Sequence, residues 1–158
     1  MKIREIILVF IAISVFLSIG CDKNEFTPPE DGLVTREMAE RYVKVSLALT
    51  KIIEDQVVKL SEFREKYGVS SGLSEFNDPE YKEKNPAVVA AWDSIQVVWD
   101  KKQDSVYNKL GMSEEEWNWI AGAIITHKNN EIRQFIISEF EKAEKEADSL
   151  PQQATDSN

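Results

Sequence analysis

The chain has 158 residues, a length that fits one domain around a single core. Its 28 acidic residues outnumber 19 basic ones for a net charge of −9, so phosphates and anionic headgroups repel it. That excludes nucleic acid as a partner and denies the protein any charge-driven hold on an anionic membrane.

Residues 2–21, KIREIILVFIAISVFLSIGC, set the location of all that follows. Lys2 and Arg4 open the stretch, an uncharged apolar run extends from Ile6 to Ile19, and Gly20 precedes Cys21, the single cysteine. A basic start, an apolar middle and a small residue before a cut form the layout of a secretory signal peptide, here residues 1–20. As a helix the 14-residue run is ~21 Å long, short of the ~30 Å hydrocarbon core that a permanent span must cross.

The end of the stretch, Leu17-Ser18-Ile19-Gly20-Cys21, resembles the lipobox of bacterial lipoproteins. It departs from the usual pattern in carrying Ser18, not leucine, three residues before the cysteine. The resemblance implies cleavage between Gly20 and Cys21, a thioether-linked diacylglycerol and an amide-linked acyl chain on Cys21, and residence in the bacterial cell envelope. One acyl chain holds a protein only marginally, whereas two or three anchor it durably. The membrane is thus an expected partner through lipid on Cys21, on the extracytoplasmic side. A lipidated Cys21 leaves no thiol for disulfides, thiolate metal sites, haem attachment or nucleophilic catalysis. Loss of residues 1–20 removes two basic residues and one acidic residue, so the mature chain carries 17 against 27 and a net charge of −10.

Residues 21–34 form the expected lipid-anchored flexible tether. DKNEFTPPEDGLV carries two prolines, a glycine and four acids, and buries too little apolar surface to offset its ordering entropy. Fully extended, residues 22–34 would reach ~45 Å.

The first helix is expected over 35–67, with Thr35 as N-cap, Glu37 in the first turn and Gly68 just past the end. Met38, Tyr42, Val45, Leu49, Ile52, Leu60, Phe63 and Tyr67 recur at helical spacing, with Gln56 where an apolar residue is due. The breaker-rich connection 68–85 is expected to lay Leu73, Phe76 and Tyr81 over the open end of the core, with Asp78-Pro79 opening a short helical turn. A second helix follows over 86–110, capped by Asn85 and closed by Gly111. Its seam comprises Val88, Trp92, Ile95, Trp99, Val106 and Leu110, broken at Lys102.

Ser113 and Glu116 form a capping box that opens a third helix, expected over 113–149. Trp117, Ile120, Ile124, Ile132, Phe135, Ile136 and Phe140 give it an apolar face, and the tail 150–158 reads as disordered. Together these segments predict an all-α fold, an antiparallel three-helix bundle of long amphipathic helices over 35–149. The two-residue turn Gly111-Met112 makes the second and third helices neighbours.

Trp117 and Trp119 stand about 200° apart around a helix and cannot share one seam. Both are candidate partner-binding residues, and Trp119 is expected on a flank or exposed. His127 is the single histidine and is expected, with Gln56 or Gln96, to form a polar core layer that fixes helix register. Ile124 stands where a Glu-x-x-His metal pair would need its glutamate, so no metal or other cofactor is expected. Nucleophile elbows, phosphate loops and zinc helices are absent from the sequence. The expected function is a non-catalytic helical interaction or scaffolding module, with a protein partner or self-association. The alternatives are a small-ligand carrier or holdase using Trp92, Trp99 and Tyr42, and an enzyme using Asp100, Asp104 and Glu131.

Overall fold

The computed structural model describes residues 26–149. The expected signal peptide, the expected cleavage site at Gly20 and Cys21, the expected lipidation at Cys21, residues 22–25 of the expected tether and the tail 150–158 lie outside the described residues. Within them the protein is all-helical and without strands. Helix α1 spans Arg36–Tyr67, α2 Pro79–Lys84, α3 Pro86–Leu110, α4 Glu114–Ala123 and α5 Asn130–Ser149, and two 3-10 turns cover Ser74–Asn77 and His127–Asn129.

The helix ends follow their local chemistry. Thr35 Oγ1 accepts from the amide of Met38 at 3.2 Å, which satisfies one of the four orphan donors at the start of α1. Gly68 takes φ +65°, and both its amide and that of Val69 donate to the carbonyl of Arg64, closing the other end. Asp78 caps α2 through the amide of Glu80 at 2.9 Å, with Pro79 in the first turn. Gly111 ends α3 at φ +65°.

Where one core was expected, the described residues divide into two compact units, 26–44 with 112–149 and 45–111. Helix α1 has 32 residues and is ~48 Å long, more than one core of this chain length needs to span. Arg36–Lys44 belong to the first unit and the rest of α1 to the second.

The first unit buries Val34, Met38, Tyr42, Val43, Met112, Trp117, Ile120, Ile136 and Phe140. Its helices depart from expectation in one place. The single helix predicted over 113–149 is two, because the chain turns at residues 124–126 and re-forms through the 3-10 turn. Thr126 is extended at φ −78°, ψ 150°, and its hydroxyl donates to the carbonyl of Ala123 at 2.7 Å. Threonine and asparagine side chains compete for backbone partners in this way, and no apolar residue at 127 or 128 continues the stripe to oppose them.

In the second unit the Val45–Tyr67 portion of α1 pairs with α3. Asp55 meets Lys102 and Phe63 meets Trp92, so residue numbers fall along α3 as they rise along α1 and the two run antiparallel. Val45, Leu49, Phe63 and Val69 are buried. The predicted α3 seam is the more covered face of that helix, each of its six residues being half-buried, yet no residue of α3 is fully buried.

Candidate functional site

The first site is built on α4. Ser113 Oγ accepts from the amide of Glu116 at 3.0 Å, one half of the predicted capping box. The other half differs, since the Glu116 carboxylate takes Arg41 Nη2 at 2.5 Å while Arg41 Nη1 reaches Glu37 at 3.1 Å. The Glu116 side chain is almost wholly covered, so the pairing offsets the cost of placing a carboxylate there. Next to it Trp117 is buried and stacks on Tyr42, ring centroids 5.5 Å apart and planes 22° apart. Trp117 thus serves the core.

Trp119 is half-buried, as its position on a flank implies, but its covering comes from the predicted tether. Phe26 lies against it at 5.6 Å with the planes tilted by 54°. The described part of the tether, residues 26–34, is therefore an ordered strap and not a free spacer. Asp31 Oδ1 accepts from the amide of Leu33, Gly32 turns the chain at φ +62°, and Val34 is buried. Composition alone missed this because the strap does not stabilise itself: its partners come from residues about 95 positions later.

Chief among these is Asn129, 1% exposed. Its Oδ1 accepts from the amide of Val34 at 2.9 Å, and its Nδ2 donates to the carbonyls of Gly32 at 3.1 Å and Ala123 at 3.0 Å and to Thr126 Oγ1 at 3.2 Å. Lys128 Nζ adds a bond to the carbonyl of Asp31 at 2.6 Å, and a side chain at Gly32 would collide with that ammonium group. One asparagine ties together the strap, the end of α4 and the approach to α5.

The expected polar core layer is not formed by the residues proposed for it. His127 and Gln96 are exposed, and Gln56 is half-buried on the inner face of α1. His127 moves to the surface because the helix that would have pointed it inward ends at Ala123. The buried polar residue of this region is Asn129, two positions on.

Arg36 places its guanidinium 3.8 Å above the Phe135 ring, beside a shallow depression of about 210 Å³ lined also by Glu40, Val43, Lys44 and Glu139. That volume is below the usual range for a small-molecule site. In the second unit Trp92 packs on Phe63 at 5.5 Å, on Phe76 at 5.9 Å and edge-on to Trp99 at 5.6 Å, while Tyr81 covers Phe76. Phe76 and Tyr81 pack on the aromatic cluster as expected.

Two carboxylates of the second unit are tuned. A hydrogen bond and the charge of Lys102 hold Asp55 below the usual carboxylate range, and hydrogen bonds from the Ser70 hydroxyl, its own backbone and the Ser70 amide do the same for Glu75. Glu62 raises Lys59 through a hydrogen bond and its charge. The remaining notable surface is apolar: Val57 and Val58 on α1 and Val97 and Val98 on α3 are each about half exposed or more. Asp100, Asp104 and Glu131 are exposed, and among the described residues no group of three His, Cys, Asp or Glu is placed to hold a metal ion. No helix among them is long and apolar enough to cross a membrane. Comparisons with protein-family models, curated proteins and solved structures find no match to this chain.

Proposed function

We propose that this protein is a lipid-anchored bacterial envelope lipoprotein whose helical domain is a non-catalytic interaction or scaffolding module. On this reading residues 1–20 are a signal peptide, cleavage falls between Gly20 and Cys21, and acyl chains on Cys21 are the sole strong membrane attachment. The three-helix bundle is the proposed frame of the mature domain, with the place of its third helix taken by α4 and α5. The antiparallel register of α1 on α3 supports that frame.

The observation that carries the interaction reading is the exposed valine surface of the second unit. Val57, at 61% exposed, and Val97, at 49%, each stand beside a second exposed valine on helices otherwise faced with charge. Fully burying one such side chain contributes about 1.5–3 kcal/mol, so a partner that covers even one valine on each helix gains substantially. A photoreactive residue at Val97 in the full-length chain, irradiated in living cells, tests it. Adducts with another protein or a second copy are expected at Val97 and not at Glu144, and they should disappear when Cys21→Ala removes the anchor. If Val97 gives no more adduct than Glu144, the interaction reading fails.

A further inference from the structure

The strap constrains how far the first unit can stand from the lipid. Residues 26–34 are fastened at three points: Phe26 on Trp119, the Asp31 carbonyl on Lys128, and Gly32 and Val34 on Asn129. A tether that was free throughout would allow ~45 Å between anchor and domain. With the strap docked, the span from Cys21 to Phe26 is five residues, at most ~18 Å when fully extended. The headgroup layer of one leaflet occupies ~5–8 Å of that reach.

We propose that the face of α4 bearing Trp119 and Gly122, with Phe26 laid over it, lies against the headgroup surface of the membrane that holds Cys21, kept there by the docked strap. The proposal rests on the lipoprotein reading above. The occupant is a lipid surface and not a protein because the chain leads from this face directly to the acylated residue. The Trp119 indole, an apolar ring with one N–H donor, has the amphipathic character that suits an interface, and Phe26 adds apolar area beside it. Charge does not drive the contact: the unit carries Glu114, Glu115 and Glu116 in the first turn of α4, and Lys128 is engaged by the strap. Proximity should therefore persist at high salt and on zwitterionic lipid, unlike that of a basic surface helix.

The full-length chain offers a direct test. With Cys21 acylated, Gly122→Cys introduces the only free thiol; the position is exposed, one turn from Trp119, and a side chain there meets nothing within 4 Å. The purified lipoprotein, labelled there with a fluorophore, is reconstituted in phosphatidylcholine vesicles doped with a headgroup spin-labelled lipid. Strong quenching is expected. Ten Gly and Ser residues inserted between Asn24 and Glu25 leave every packed residue in place and triple the link, so quenching should fall about twofold or more. Phe26→Ala should weaken quenching in the same direction. Lipid-bearing protein whose quenching is absent, or unchanged by the insertion, overturns this proposal alone. Protein that carries no lipid overturns both this proposal and the lipoprotein reading.

Discussion

At the scale of single residues, Asn129 carries more of the architecture than any charged group. Its carboxamide makes four hydrogen bonds in a dry setting, and removing it strands the Val34 amide and the Gly32 carbonyl, while the Ala123 carbonyl keeps Thr126. An unmet buried polar group costs about 1–3 kcal/mol, so Asn129→Ala is expected to destabilise by about 3 kcal/mol in chemical denaturation and to open residues 26–34 to proteolysis. Asn129→Asp keeps the acceptor for Val34 but turns a buried carboxylate oxygen toward the carbonyls of Gly32 and Ala123, and should cost at least as much as Asn129→Ala. A smaller loss is expected at Arg41. Arg41→Met leaves the nearly covered Glu116 carboxylate without its cation, costing about 2 kcal/mol, while Glu116→Gln in the same chain should recover part of it. The role of Asn129 was not legible in sequence, where His127 drew attention as the one histidine. A side chain's partners depend on where the helix breaks, and two residues decide whether a group faces core or water.

At the scale of elements, the helix ends were the most readable feature because each cap is a local contract between a few neighbouring residues. Thr35, Gly68, Asp78, Gly111 and Ser113 all stand where chain chemistry placed them. Gly111→Ala should therefore cost about 1 kcal/mol, through backbone strain at φ +65° and not through crowding, since a side chain there meets nothing within 4 Å. The break after Ala123 was less readable: the apolar stripe resumes at Ile132, and only the gap at 127 and 128 hinted that it was not continuous. Ion pairs between elements lay beyond sequence altogether. Lys102, read as a flaw in the α3 seam, is the partner of Asp55 on α1. That pairing has a consequence in acid. Asp55 and Glu75 bind protons less readily folded than unfolded, so they favour the native state above the ordinary carboxylate pKa of about 4, and the contribution is lost as pH falls through the lowered folded values. Unfolding midpoints measured from neutral to strongly acid pH should show Asp55→Asn with Glu75→Gln less stable than the parent at neutral pH, with the gap closing in acid. Both groups are half-buried and still reached by solvent, so added salt should shrink the Asp55 part.

At the scale of the whole molecule, the two units divide the work that one core was expected to do. The first encloses Ile120 and Trp117 and is fastened by the strap; the second is an antiparallel pair whose α3 has no fully buried residue. A pair of helices covers only one face of each, so apolar side chains on the other faces either await a partner or cost solubility. If Val97 and Val98 belonged to the core, charge there would unfold the pair; if they form a docking face, the fold should tolerate it. Val97→Glu with Val98→Glu is therefore expected to leave helical content unchanged and to shift stability by no more than about 0.5 kcal/mol per site, as surface substitutions do. In the membrane the same variant should lose the adducts formed from a photoreactive residue at Val57. Retained adducts would move the docking face away from α3, and a collapsed circular dichroism signal would return both valines to the core. Docking through α3 should survive the lengthened tether, whereas the approach of Gly122 to the headgroups should not, so one pair of variants separates what the second unit binds from where the first unit is held.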